Sequence, residues 1–207
     1  MIRTVISDLG NVLLHFDHRI IVARLMHDFP DARWDDEQND LFWALVSSFE
    51  LGAVSEEGFL REAGVLLGQE APLDADHFRR LWSDIFWLNE SYLSLLQSIQ
   101  TQVTLVLLSN TNPMHIAWAQ QKFPEVFRLF SHAVYSYELG TAKPDPRMFR
   151  EALRRAEAAP AESVYFDDIA AYAEAAAAVG MNGYQYVSVP GARDVLVMHG
   201  LTVPAHD

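Results

Sequence analysis

The chain has 207 residues, half of them hydrophobic, and its formal net charge at pH 7 is −13. This length and composition suit a globular protein with a sizeable core and exclude a largely disordered chain. The acidic balance disfavours nucleic acid and anionic membrane surfaces as partners, and the lack of cysteine excludes disulfides, thiolate metal sites and a cysteine nucleophile.

The beginning of the chain runs directly into a strand-like apolar pattern. In VISDLGNVLLHF the apolar run stops at Asp8 and a Gly-Asn turn, which predicts a strand followed by a turn. The sequence shows neither a signal-like segment nor an apolar run of membrane-spanning length. We therefore expect a cytoplasmic protein.

Helical patterns alone fill positions 17–88. They are RIIVARLMHDF, DEQNDLFWALVSSF, SEEGFLREAGVLLG and DADHFRRLWSDIFWL. One strand–helix–strand crossover does not need that much chain, so we predict a small helical domain inserted after the first strand. Four aromatic residues of this segment are expected to pack in its core rather than to contact a substrate: Trp43, Phe49, Phe86 and Trp87.

Strand and helix patterns alternate in the rest of the chain. The predicted strands are VTLVLLSN, HAVYSYELG, SVYFDD and YQYVSVPG. Two of the helices between them begin with N-cap and proline signals at Asn112-Pro113 and Asp145-Pro146, and a third ends at Gly180. This alternation predicts a doubly wound, Rossmann-like α/β fold with a parallel sheet.

The two patterns together predict two domains. Residues 1–16 and 89–207 would form the α/β core domain, and residues 17–88 would form a small helical cap domain. Because the insertion leaves the sheet just after the first strand, we expect the cap to lie over the carboxyl ends of the strands. Ligands bind at those ends in folds of this kind.

Each of the first four predicted strands ends in a chemically distinctive group. These groups are Asp8, the pair Ser109 and Asn110, Lys143 in GTAKPDP, and the adjacent carboxylates Asp167 and Asp168. Phosphoryl transfer needs such a set, because a carboxylate nucleophile and an anionic substrate repel each other unless a cation such as Mg²⁺ lies between them. A lysine, and a hydroxyl at a helix N-terminus, can bind the phosphate oxygens.

The same segments resemble the motifs of the haloacid dehalogenase superfamily of hydrolases over nearly the whole chain. DLGNV, LLSN, AKPDP and YFDD are similar to its four motifs in order, and ELGAVSEEGF is similar to a sequence of its helical cap. The resemblance implies a nucleophile and metal ligand at Asp8, a metal-binding carbonyl at Gly10, phosphate binding by Ser109, Asn110 and Lys143, and Mg²⁺ binding by Asp167 and Asp168.

A narrower resemblance suggests the reaction. DLGNV together with LSNTN and FDD is similar to the bacterial branch of α-D-glucose-1-phosphate phosphatases and to the phosphatase domain of bifunctional epoxide hydrolases. This resemblance implies a magnesium-dependent phosphatase of a small phosphorylated metabolite, a sugar phosphate in preference, that works through an aspartyl-phosphate. Either a monomer or a homodimer is expected.

Two positions depart from the family pattern. Most phosphatases of the superfamily place a general acid, Asp, two residues after the nucleophile, and this chain has Gly10 there. A sugar 1-phosphate lessens the need for an acid, and His15, His18, Asp17 or a water are alternative proton donors. Tyr172 replaces the Asp or Asn that often follows the acidic pair, which predicts a weaker metal or lysine site.

Two other functions remain open. A 2-haloacid dehalogenase would use Asp8 on carbon and needs no general acid, which agrees with Gly10 but leaves the acidic pair unexplained. A non-catalytic protein that binds a phosphorylated ligand or a partner would agree with both departures. A receiver domain is disfavoured, because its acidic pair comes first in the chain and no helical insertion interrupts it.

Overall fold

A computed structural model describes residues 1–204, so the last three positions of the predicted range 89–207 lie outside the described residues. The strands within residues 1–204 are β1 Thr4–Ser7, β2 Leu14–Phe16, β3 Phe86–Leu88, β4 Thr104–Ser109, β5 His132–Tyr135, β6 Ser163–Asp167 and β7 Asn182–Gln185. Five of them form one parallel sheet in the order β5-β4-β1-β6-β7. The predicted doubly wound α/β fold is confirmed.

The helices fall into two groups along the chain. Between β2 and β3 lie α1 His18–Asp28, α2 Asp36–Glu50, α3 Glu56–Leu66 and α4 Ala75–Ser83. After β3 come α5 Glu90–Ile99, α6 Pro113–Lys122, α7 Pro124–Leu129, α8 Ser136–Leu139, α9 Pro146–Arg155, α10 Ala170–Ala178 and α11 Val189–Met198, with a 3-10 turn at Pro160–Glu162. None of the helices within residues 1–204 is both long and apolar enough to cross a bilayer.

The predicted helix boundaries in the second group follow their capping residues. The Asn112 side chain accepts a hydrogen bond from the backbone of the third residue of α6, and Asp145 caps α9 in a similar way. Both helices have proline in the first turn, as the sequence predicts. Gly180 follows α10 with a φ of +92°, a conformation that favours glycine.

The central strand β1 is fully buried, because β4 and β6 pair with its two edges and its side chains pack into hydrophobic cores on both faces of the sheet. Its successive side chains point to opposite faces. Val5 belongs to the larger hydrophobic core, which also contains side chains of the inserted helices, and Ile6 belongs to a smaller core with Met148 and Phe149 of α9. This burial holds the carboxyl end of β1 in a fixed position.

The prediction of helices alone between residues 17 and 88 is wrong at its end. The last helix, α4, stops at Ser83, and Phe86–Leu88 forms β3, which pairs antiparallel with β2. Leu14 lies opposite Leu88, so the chain enters and leaves the helical segment side by side. Helical periodicity cannot report this pairing, because the two strands are distant in sequence.

Two other predicted strands are shorter than their apolar runs. In HAVYSYELG, β5 ends at Tyr135, and the next residues form the short helix α8, which ends at Gly140 with a φ of +67°. In the last predicted run, β7 ends at Gln185, and Ser188 caps α11 by accepting a hydrogen bond from Gly191 N–H. Serine and glycine residues inside these runs therefore end the strands early.

Candidate active site

The carboxyl ends of β1, β4 and β6 meet beside a cavity of about 310 Å³. Six of the seven site residues predicted from the sequence line it: Asp8, Gly10, Ser109, Asn110, Lys143 and Asp168. The seventh, Asp167, is fully buried at the end of β6. The structure thus brings the predicted residues together, although they lie far apart in the chain.

Lys143 occupies the centre of the site. Its Nζ donates hydrogen bonds to Asp8 Oδ1 at 2.8 Å, to Asp167 Oδ2 at 2.7 Å and to the Leu108 carbonyl at 3.3 Å. Burial lowers the pKa of Lys143, but the two carboxylates raise it by more, and the net shift is upward. The lysine is therefore a fixed cation between two strand ends.

Asp8 directly follows β1, and its backbone N–H donates to the Phe166 carbonyl at 2.9 Å. Burial raises the pKa of Asp8 to about 7, in opposition to the lowering effect of Lys143. A second cation on the cavity side of this carboxyl group would favour its ionised, nucleophilic form. The position of Asp8 therefore suits a nucleophile that works beside a bound cation.

The two adjacent carboxylates of the acidic pair have different surroundings. Asp167 accepts hydrogen bonds from Lys143 Nζ, from the Tyr165 hydroxyl and from the Ile169 N–H. Asp168 is half-buried and lines the cavity, and burial followed by the charge of Asp167 raises its pKa. Asp167 thus accepts hydrogen bonds from three protein groups, whereas Asp168 faces the cavity.

The donor set fits a hard divalent cation. Asp8, Asp167 and Asp168 each place one carboxylate oxygen within 4.8 Å of the other two. Three carboxylates against the single ammonium of Lys143 leave two negative charges unbalanced. Magnesium prefers oxygen ligands and is commonly held by one or two carboxylates together with substrate phosphate and water.

The end of β4 supplies groups of two kinds. Ser109 lines the cavity, and within residues 1–204 its hydroxyl makes only a long contact of 3.4 Å with the Asn110 carbonyl, so it can bind a ligand oxygen. The Asn110 side chain instead holds the backbone of Lys143: its Oδ1 accepts from Lys143 N–H at 2.8 Å, and its Nδ2 donates to the Lys143 carbonyl at 3.1 Å. The side chain of Asn110 therefore positions the lysine.

Gly10 makes room for an aromatic ring. A Cβ atom on Gly10 would lie 2.8 Å from Cε1 of Phe16, closer than such atoms normally approach. The intervening turn places Asn11 at a φ of +53° and closes with a hydrogen bond of 2.8 Å from Asn11 N–H to the Leu14 carbonyl. The Phe16 ring thus fills space that a side chain at position 10 would need.

Tyr172 contacts the site in place of a smaller polar residue. The centre of its ring lies 5.2 Å from Lys143 Nζ, a distance at which the cation and the aromatic face attract each other. Tyr172 also lines the cavity. The lysine therefore keeps a favourable neighbour at this position.

Residues of the inserted segment form another part of the cavity wall. They are His18 at the start of α1, Glu50 at the end of α2 and Phe86 of β3. Phe86, expected only in the core, lines the cavity as well. Glu50 is not among the site residues predicted from the sequence. The signal that could have indicated it is an acidic side chain at the C-terminal end of a helix, which is electrostatically unfavourable.

A sequence profile described as haloacid dehalogenase-like hydrolase matches residues 2–180. The chain belongs to this family. The family resemblance predicted from the four motifs is confirmed, and the chain is a haloacid dehalogenase-like hydrolase. The match covers the inserted helices and four of the five strands of the sheet, since β7 begins at Asn182.

Known proteins resemble this chain in sequence and in fold. The chain is 28% identical over 181 residues to the D-ribitol-5-phosphate phosphatase of Bacteroides thetaiotaomicron. The aligned region covers 81% of this chain and 84% of that protein. A family enzyme of the same organism, solved with magnesium and inorganic phosphate, superposes with a TM-score of 0.77 at 23% identity over 90% of this chain and 94% of the other. A 2-haloacid dehalogenase of Pseudomonas syringae pv. Tomato superposes with a TM-score of 0.65 at 19% identity, over 97% of this chain and 100% of the other. At these identities the two structures show the fold alone.

Proposed function

We propose that this hydrolase is a magnesium-dependent phosphatase of a small phosphorylated metabolite, with sugar and polyol phosphates as the favoured substrates. One observation carries the proposal: Asp8 and Asp168 face one cavity, and a buried lysine lies 2.8 Å from Asp8. The relative that acts on ribitol 5-phosphate and the structure with bound magnesium and phosphate support it.

The domain assignment is part of the proposal. Residues 1–16 and 89–207 would form the core that carries the chemistry, and residues 17–88 would form the cap that selects the substrate. The support is that the cavity wall combines His18, Glu50 and Phe86 of the inserted segment with strand-end residues of the sheet. A cavity of about 310 Å³ is at the small end of ligand sites, in agreement with a small metabolite.

The proposed first step is an in-line attack by a carboxylate oxygen of Asp8 on phosphorus. The new O–P bond forms as the bond to the leaving-group oxygen breaks, while the Ser109 hydroxyl and the Lys143 ammonium hold the phosphate oxygens. A water then attacks the phosphorus of the aspartyl-phosphate and releases inorganic phosphate. This second step restores the Asp8 carboxylate.

The metal would be held by Asp8, Asp168 and the Gly10 carbonyl. Bound magnesium would supply the positive charge that lets an anionic nucleophile approach an anionic ester. The sequence prediction also assigned Asp167 to the metal. Because the oxygens of Asp167 already accept hydrogen bonds from three protein donors, we propose that it acts mainly by holding Lys143.

The test is a phosphate-release screen over sugar and polyol phosphates, with magnesium and with a chelator. We expect release with the metal only, and a loss of about 10³-fold or more in Asp8→Asn. Asp40→Asn, an exposed carboxylate on α2, is the matched control and should behave like the wild type.

Each competing function gives a different result in the same screen. Phosphate release that survives Asp8→Asn would reject the covalent mechanism. Chloride release from 2-haloacids without metal would indicate the dehalogenase. Neither activity, together with retained binding of a phosphorylated ligand, would indicate a non-catalytic binding protein.

A further inference from the structure

The proposed phosphatase lacks a proton donor at the usual place. Gly10 has no side chain, and a Cβ atom at position 10 would lie 2.8 Å from the Phe16 ring, which occupies the space where an acidic side chain would begin. A simple alkoxide is a poor leaving group, and general acid catalysis of its departure is typically worth about 10²–10⁴-fold. A donor for an unactivated ester must therefore come from another part of the cavity wall.

Two of the proton donors considered from the sequence, His15 and Asp17, lie outside the cavity wall. The ring of His15 packs against Trp87, with 6.0 Å between the ring centroids, on the β2–β3 pair. Asp17 caps α1 and forms a salt bridge of 2.7 Å with Arg19, which holds the pKa of that carboxyl below its usual value. Neither residue belongs to the cavity wall among residues 1–204.

Apart from the proposed metal- and phosphate-binding residues and Tyr172, which lies against Lys143, three titratable residues line the cavity: His18, Glu50 and His115. Burial lowers the pKa of His115 to about 3, and both of its ring nitrogens lie within hydrogen-bond distance of protein groups. The His18 ring lies between Phe16 and Trp43, and burial lowers its pKa too. Both histidines are therefore largely neutral near pH 7 and are poor proton donors.

Glu50 is fixed relative to the phosphate-binding end of β4. Its backbone carbonyl accepts a hydrogen bond of 2.7 Å from Ser136 Oγ, and the same hydroxyl accepts one of 2.9 Å from Thr111 N–H. Two residues further on, Gly52 packs so closely on α8 that a Cβ there would lie 2.1 Å from the Tyr137 carbonyl oxygen. The end of α2 is thus tied to the loop that follows Ser109.

The surroundings of Glu50 also favour its protonated form. Burial raises the pKa of Glu50 to about 7, and no neighbouring charge within residues 1–204 contributes to this shift. The other titratable groups that share the cavity are Asp8, His18, His115, Lys143, Asp168 and Tyr172. An acid whose pKa is close to the working pH is well suited to transfer a proton in both directions.

We propose that Glu50 is the general acid of this enzyme, a role that rests on the proposed phosphatase function. The carboxyl proton of Glu50 passes to the leaving-group oxygen as its bond to phosphorus breaks and the Asp8 oxygen–phosphorus bond forms, so the product leaves as a neutral alcohol. The resulting Glu50 carboxylate then accepts a proton from the water that attacks the aspartyl-phosphate. This second transfer returns Glu50 to its protonated form.

The experiment compares two leaving groups. Wild type, Glu50→Gln and the control Glu37→Gln, which changes an exposed residue of the same helix, are assayed with magnesium. The substrates are p-nitrophenyl phosphate, whose leaving group departs without a proton, and the sugar or polyol phosphate that the wild type hydrolyses fastest. We expect Glu50→Gln to lose about 10²–10⁴-fold in kcat on the alkyl ester and less than about 10-fold on the nitrophenyl ester.

The nitrophenyl activity also shows that the variant is folded. Equal losses on both esters, or no loss on the alkyl ester, would overturn the role of Glu50. A selective loss in His18→Gln without one in Glu50→Gln would assign the proton to the histidine instead. If the wild type releases phosphate from neither ester, the proposed function itself fails, which is distinct from a failure of Glu50 alone.

Discussion

At the level of single residues, the site contains three aspartate carboxyl groups that have different surroundings. The carboxylates of Asp8, Asp167 and Asp168 lie close together. Asp8 faces the cavity beside a lysine, Asp167 accepts hydrogen bonds from three protein donors, and Asp168 is half-buried at the cavity wall. Burial, charge and hydrogen bonding shift carboxyl groups independently. In the proposed mechanism the same residue type therefore serves as nucleophile, as support for the lysine and as metal ligand.

Glu50 gives a prediction about stability that does not depend on activity. Its pKa is about 7 in the folded protein and about 4.5 in the unfolded chain. Between these values the folded state binds the extra proton, so the free energy of unfolding falls as the pH rises from 4.5 to 7. The loss at pH 8 is up to about 3 kcal/mol, reduced by the screening that partial exposure allows.

Glu50→Gln should remove this pH dependence. We expect the variant to be more stable than the wild type at pH 8 and about equally stable at pH 4.5, as measured by urea unfolding at both pH values. Glu37→Gln should follow the wild type throughout. A wild-type advantage at pH 8 would show that the buried carboxylate has a favourable partner.

At the scale of elements, the contact between α2 and α8 couples the inserted helices to the sheet. Gly52 follows α2 with a φ of +67° and approaches the backbone of Tyr137. The Ser136 hydroxyl links the Glu50 carbonyl to the backbone of Thr111. A small displacement at this contact would therefore move the inserted helices relative to the strand ends that line the cavity.

Gly52→Ala should disturb this contact. Its Cβ would meet a backbone oxygen at 2.1 Å, so we expect a destabilisation of about 3 kcal/mol or more and a marked loss of turnover. Gly68→Ala is the matched control, because Gly68 has a φ of +71° with nothing within 4 Å among residues 1–204. It should cost only about 1 kcal/mol of backbone strain. Equal effects in thermal unfolding and turnover would argue against the contact.

At the scale of the whole molecule, the site concentrates negative charge in a chain whose net charge is already −13. Three carboxylates close to one another repel, and Lys143 offsets only part of that repulsion. A cation that binds the folded state alone stabilises it by mass action, by about 2.7 kcal/mol at a concentration 100 times its Kd. Metal binding should therefore be visible in the stability of the fold.

Thermal unfolding with magnesium and with a chelator tests this coupling. We expect magnesium to raise the Tm of the wild type, and Asp168→Asn to lose most of that increase. In the chelator, Asp168→Asn should be at least as stable as the wild type, because burial and Asp167 already disfavour the Asp168 charge. Asp194→Asn, at an exposed site on α11, should keep the wild-type response. An unchanged magnesium response in Asp168→Asn would remove that residue from the metal site.

From the amino-acid sequence alone we could predict the alternation of strands and helices, the presence of an inserted helical segment and the polar residues at the strand ends. These features are local: apolar spacing, capping residues and interrupted runs such as the one at Asp8 can be read within a few residues. The sequence could therefore predict the fold class and six residues that line the cavity.

Which side chains of distant segments come into contact depends on tertiary packing. The pairing of β2 with β3, the different surroundings of Asp167 and Asp168, and the presence of Glu50 in the cavity wall all depend on contacts between distant segments. No local pattern carries that information, because burial and neighbouring charge are properties of the packed chain. Those two properties set which carboxyl group is ionised and which one keeps its proton.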